Sequence, residues 1–163
     1  MTYNYESNEL MVGDQLMQQT QNQTASRPSW DEIWMEMARV IAKRSVDPRH
    51  QVGTVIVTSD NTQVLSIGYN GDQRGGPNTV ESNEPGCSGF LHSEINALIK
   101  CDYNTHKKKV MYLTLSPCRQ CAKAIINGNI SEVVYLEDYR DTTGLDILQQ
   151  SDVQVRKYSI IDR

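Results

Sequence analysis

His92 and Glu94 stand two residues apart, and Pro117, Cys118 and Cys121 follow at the spacing P-C-x-x-C. One imidazole and two thiolates make a mixed nitrogen and sulfur set of three ligands suited to Zn²⁺. Three protein ligands leave the fourth tetrahedral position open to water, as in catalytic rather than closed structural sites. Glu94 is then a spare carboxylate beside an acidified water, fit to take a proton and give it back. The rival arrangement is a closed zinc knuckle with Cys87 or Cys101 as fourth ligand, in which Glu94 has no task.

These residues must be brought together by the elements that carry them. The pattern from His92 to Cys101 is helical, with Ile95, Leu98 and Ile99 on one side, and Cys118–Asn127 is a second helix closed by Gly128. An i, i+3 pair puts both cysteines on one helical face, and a helix N-terminus favours the thiolate. Pro117 suits the first turn, where its missing N–H costs nothing. Upstream, Ser29 and Glu32 form a capping-box pattern, and an apolar stripe through Ile33, Trp34, Met37, Val40 and Ile41 predicts a helix to about Ser45. Val52–Thr58 and Val64–Tyr69 read as an antiparallel hairpin around Ser59-Asp60-Asn61-Thr62. Val110–Leu115, Val133–Leu136 and Val153–Tyr158 read as strands, and Gly144–Gln150 as a short helix. The expected architecture is α/β, with three layers, a mixed five-stranded sheet and helices on both faces.

One domain over 28–163 accommodates all of this in a chain of 163 residues, preceded by a polar Gln- and Asn-rich extension over 1–27. That extension is either weakly ordered or packed on a neighbouring subunit. A net charge of −4 offers no general attraction to nucleic-acid polymers, and no apolar run is long enough to span a membrane. No signal-peptide pattern is present, which points to the cytoplasm and to cysteines that serve a metal or remain thiols.

The H-x-E…P-C-x-x-C pattern is that of zinc-dependent nucleobase deaminases. Further stretches narrow the resemblance: Ser45-Val46-Asp47-Pro48, Gln51-Val52-Gly53, Gly68-Tyr69-Asn70-Gly71, His92-Ser93-Glu94-Ile95-Asn96-Ala97 and Ser116-Pro117-Cys118. Over residues 29 to about 160 the chain resembles the deoxycytidylate branch of the cytidine and deoxycytidylate deaminase family. The resemblance implies a cytidine-deaminase-like fold and hydrolysis of dCMP to dUMP with release of ammonia. It implies one catalytic Zn²⁺ on His92, Cys118 and Cys121, with Glu94 as proton shuttle. It also implies a homohexamer, activated by dCTP and inhibited by dTTP, each triphosphate with Mg²⁺.

Asn70 and Tyr139 are substrate-binding candidates by the same resemblance, although Asn70 also suits a plain Asn-Gly turn and Tyr139 ordinary packing. Arg44, Arg49 and Arg140 are candidates for the phosphate, since guanidinium binds it bidentately, or else are surface charges. Gly68, Tyr69, Asn70, Gly71 and Arg74 fall where the resemblance puts a regulatory nucleotide. Lys107-Lys108-Lys109 reads as a solvated turn. Two departures stand out. Ser82 and Phe90 occupy places where some relatives carry histidines of a second zinc, and Ser93 replaces the usual alanine between His and Glu. A deaminase of tRNA or single-stranded DNA is the alternative reading, disfavoured by the acidic charge and the Gly-Tyr-Asn-Gly element. A non-catalytic zinc-binding module is the third.

Overall fold

The computed structural model describes residues 27–159. The 1–27 extension therefore lies outside the described residues, Arg27 excepted.

Helix α1 (Trp30–Ala42) starts at the expected capping box: Glu32 N donates to Ser29 Oγ at 3.2 Å, and Ser29 N donates to Glu32 Oε2 at 2.6 Å. It stops three residues before Ser45 because Asp47 organises the next loop, its Oδ1 accepting from the N–H groups of Arg49 and His50. Strands β1 (Gly53–Thr58) and β2 (Val64–Tyr69) form the hairpin. Helix α2 (Ser93–Lys100), strand β3 (Lys109–Leu115), helix α3 (Arg119–Asn127), strand β4 (Ile130–Glu137), helix α4 (Thr143–Gln150) and strand β5 (Gln154–Lys157) follow. The sheet order is β2-β1-β3-β4-β5. Strand β1 is antiparallel to both neighbours, and the β3–β4 and β4–β5 pairs are parallel. The expected mixed five-stranded α/β sheet is what forms.

Alternation along β1 builds the layers. Val55 and Val57 point to α1, where they join Trp34, Met35, Ala38, Tyr112 and Val134. Ile56 points to the other face, with Ala97 of α2, Ala122 and Ile125 of α3 and Leu148 of α4. Two glycines set the helix distances. A Cβ on Gly53 would lie 2.0 Å from the Ala38 carbonyl of α1, and one on Gly68 would lie 2.1 Å from the Ser93 carbonyl of α2. On each face a strand glycine thus lets helix backbone meet strand backbone.

One strand starts earlier than expected, and one helix stops where expected but by a different residue's geometry. Strand β4 begins at Ile130 rather than Val133, because Ser131 hides its polarity by donating to the Lys109 carbonyl at 2.9 Å. Gly128 caps α3 at φ −74°, and the left-handed residue that ends the helix is Asn129 at φ 56°.

Candidate active site

Helices α2 and α3 begin side by side beyond the carboxyl ends of β2 and β3. His92 and Cys118 are their N-cap residues, and neither side chain makes a capping hydrogen bond. Both side chains are therefore left free to face each other. His92 Nδ1 lies 3.5 Å from Cys118 Sγ and 3.3 Å from Cys121 Sγ, and the three donor atoms all fall within 4.8 Å of one another. Among the described residues this is the one group of His, Cys and carboxylate side chains close enough to share an ion.

The protonation pattern tests whether a cation fits. Cys118 is held down to about 3, first by the hydrogen bond from Cys121 and then, against burial, by His92. Cys121 is pushed far up, since it must keep the proton it shares with Cys118 and is buried besides. His92 is raised, chiefly by its hydrogen bond to Cys118. Two sulfurs and an imidazole are thus holding protons between them in a space a divalent cation would fill, and such an ion would stabilise both thiolates. The donor set fits Zn²⁺.

Glu94 is the second residue of α2 and only 4% exposed. Burial raises its carboxyl above the usual range, and the Ser93 hydroxyl, donating at 3.0 Å, opposes this only in part. A raised acid in a cleft is a candidate proton carrier. The cleft is a cavity of about 570 Å³, within the roughly 300–1,000 Å³ of small-ligand sites. Its walls include Asp47, His50, Asn70, Phe90, His92, Glu94, Cys118, Tyr139 and Arg140.

The substrate candidates meet there with unequal freedom. Asn70 is buried, and its carboxamide donates to Asp47 Oδ2 at 3.1 Å and to the His50 carbonyl at 2.8 Å while accepting from Val52 N at 2.8 Å. Both its N–H groups are spent on the protein, which leaves one lone pair of Oδ1 for a ligand. Arg49 lines the cavity, but its guanidinium donates to the carbonyls of Ser82, Asn83 and Glu84 and fastens that loop. Arg140 stands over the Tyr139 ring at 5.5 Å, and no ion pair involves it among the described residues. Arg44 is exposed and outside the cavity.

The proposed regulatory residues do not converge. Gly68 is enclosed under α2, Tyr69 turns outward, Gly71 pairs with Leu91, and Arg74 is exposed on the following loop. Asn70 alone of the five lines the cavity. Three residues that sequence reasoning passed over are central: Asp47 orders the loop and holds Asn70, His50 lines the wall, and Thr54 contacts Ser93. Of the three, Asp47 alone stands in a motif that carries the resemblance, Ser45-Val46-Asp47-Pro48.

Comparison with known proteins adds the family. The model of the cytidine and deoxycytidylate deaminase zinc-binding region matches residues 28–137. The chain belongs to this family. The family is one of zinc-dependent deaminases, so the enzyme class read from the motifs stands with it. The chain is 35% identical over 151 residues to the deoxycytidylate deaminase of Schizosaccharomyces pombe, covering 84% of this chain and 46% of the relative. It is 36% identical over 125 residues to the human deoxycytidylate deaminase, covering 69% and 68% respectively. The chain thus spans about half the length of the yeast relative and two-thirds of the human one. Among solved structures, dCMP deaminase from the cyanophage S-TIM5, in complex with dCMP and dUMP, superposes with a TM-score of 0.71 at 33% identity. That match covers 81% of this chain and 98% of the phage chain. No helix among the described residues is long and apolar enough to cross a membrane.

Proposed function

We propose that this chain hydrolyses dCMP to dUMP and ammonia. The observation that carries the reading is a buried, proton-ready Glu94 beside the His92, Cys118 and Cys121 donor set at the wall of a mononucleotide-sized cavity. The likeness to a phage enzyme whose structure holds dCMP and dUMP supports the choice of substrate.

Zn²⁺ on those three ligands would supply the Lewis acidity that makes water nucleophilic near neutral pH. The rest of the work falls to the chain. Glu94 takes a proton from the attacking water, gives it to N3 of cytosine, and then helps protonate the amine leaving C4. Water oxygen becomes the new C4 carbonyl, and nitrogen departs as ammonia. The remaining lone pair of Asn70 Oδ1 accepts from a sugar hydroxyl, and Tyr139 flanks the nucleotide. Arg140 meets the phosphate from the cavity wall beside Tyr139, while Arg49 acts by holding the 82–84 loop in place. Activation by dCTP and inhibition by dTTP, each with Mg²⁺, extend this reading by resemblance, as do the homohexamer and a cytoplasmic location. Tyr69 and Arg74 would meet the triphosphate from the surface rather than from the cavity, with the buried Gly68 and Gly71 shaping the backbone between them.

An ammonia-release assay on dCMP, deoxycytidine, dCTP and a cytosine-containing oligonucleotide tests the substrate. Turnover of dCMP above the others is expected. An inert dCMP beside a reactive oligonucleotide would overturn the assignment in favour of a polynucleotide deaminase. In the same assay dTTP should slow dCMP turnover and dCTP should reverse it.

A further inference from the structure

One oxygen of the Glu94 carboxylate is held by a neighbouring hydroxyl, which is itself backed by a second one. Ser93 Oγ donates to Glu94 Oε2 at 3.0 Å, and Thr54 Oγ1 of β1 lies 2.7 Å from Ser93 Oγ. Ser93 and Thr54 are wholly buried and Glu94 almost so, which keeps bulk water from competing for these bonds. A hydroxyl has a single proton to donate. Ser93 spends its own on Glu94, so the Thr54–Ser93 contact must run from Thr54 to Ser93. The direction is therefore fixed along Thr54, Ser93, Glu94. Cys121 is the other side chain that bonds to this carboxylate. As a zinc-held thiolate it has no proton to donate, which leaves the Ser93 hydroxyl as the side-chain donor beside the backbone N–H of Glu94 itself. Two hydroxyls buried on a helix–sheet contact cost more than two alanines would unless each bond is made. Here each is made, and the series ends on the proton carrier.

We propose that Thr54 and Ser93 are a positioning relay for Glu94, which holds Oε2 of its carboxylate in place at the wall of the cavity. The inference rests on the reading of Glu94 as proton shuttle. The relay hydroxyls keep their own protons throughout, so no charge passes along them.

The test uses the full chain loaded with zinc, reading kcat and KM for dCMP, zinc per chain and Tm. Ser93→Ala should lower kcat about 10–100-fold, the scale of one lost hydrogen bond to a charged group, with KM within about twofold. Thr54→Val, which keeps shape and drops the hydroxyl, should lower kcat about 3–10-fold, since it acts one bond further away. Thr54→Ser should restore it, and Thr54→Val should have no further effect in the Ser93→Ala background. An unchanged kcat in Ser93→Ala and Thr54→Val with a lower Tm would show only a helix–sheet clasp, and the relay would be wrong. Loss of zinc, a change confined to KM, or additive effects in the double variant would overturn it equally. Should Ser93→Ala not fold, the Thr54→Val and Thr54→Ser pair decides alone. Glu94→Gln separates the two layers. If it keeps turnover, the shuttle reading itself fails; if it is inactive while Ser93→Ala is at full speed, only the relay does.

Discussion

Asp31 and Glu94 hold the same position in two helices on opposite faces of one sheet, and they have opposite fates. Each is the second residue of its helix, where the N-terminal dipole favours a carboxylate. Asp31 accepts from Arg156 at 2.5 and 3.2 Å and from the Tyr112 hydroxyl at 2.7 Å, and the Arg156 guanidinium, also bound to Glu132, holds its carboxyl below the usual range. Glu94 has no arginine. It has burial, which raises it, and a serine hydroxyl. The first acid is consumed in tying α1 to β3 and β5. The second meets its own backbone N–H, the nearby His92 and the Ser93 hydroxyl, and burial outweighs them. A helix N-terminus does not decide what an acid does; the partner across the sheet does.

The sharpest way to break the contrast is to remove the ion. Chelation, or Cys121→Ser, should bring dCMP turnover to background, and added Zn²⁺ should restore it after chelation only. Full activity in metal-free protein would remove the basis of the site. Next in size, Glu94→Gln should lower kcat about 10²–10⁴-fold, the usual worth of a positioned acid–base group. Its Tm should hold or rise, because a buried acid whose partners do not offset its burial is replaced by a neutral amide. A falling Tm with intact turnover would make Glu94 the structural acid of the pair. Arg140→Ala should raise KM for dCMP about 10–100-fold and leave deoxycytidine turnover unchanged, as loss of one charged phosphate contact predicts. An equal effect on both substrates would place the phosphate elsewhere.

Asp31→Asn should do the reverse of Glu94→Gln. Turnover stays within about twofold, while stability falls by about 1 kcal/mol, as befits a partly exposed ion pair. The pH dependence carries a definite sign. Because the folded-state value of Asp31 is lowered, its contribution is present above the ordinary carboxylate value of about 4 and is lost as pH falls through the folded value. Urea midpoints of the wild-type chain and Asp31→Asn should therefore differ at pH 7 and converge in acid. A gap that widens towards low pH would mean that Asp31 is not held as a carboxylate.

Much of the architecture was legible because local pattern and packing agree. The Ser29/Glu32 box, the β-branched run of β1 and the apolar stripes of the helices each have one sensible place in a three-layer domain. Strand β4 was read short because Ser131 and Glu132 look polar in sequence, while their polar ends are taken up by the Lys109 carbonyl and Arg156. Within the site, the His92, Cys118 and Cys121 set was legible from spacing alone, since metal ligation restricts residue type so strongly. Asn70 was legible as a rim residue, but its bonds to Asp47, His50 and Val52 join positions about 20 residues apart, which no short motif reports. Arg49 had the right chemistry for phosphate and spends it on backbone carbonyls instead.

The sequence by itself determined the donor atoms and the spare acid, because only certain side chains bind zinc or carry protons, and local spacing sets which helix ends hold them. It also determined the helices and strands, through periodicity and capping. Tertiary structure decided what each charged group is worth. Asp31 and Glu94 are alike until the sheet brings Arg156 to one and sets Thr54 behind Ser93 beside the other. Their difference is electrostatic, and electrostatics depends on which distant residues share a few ångströms of low-dielectric space.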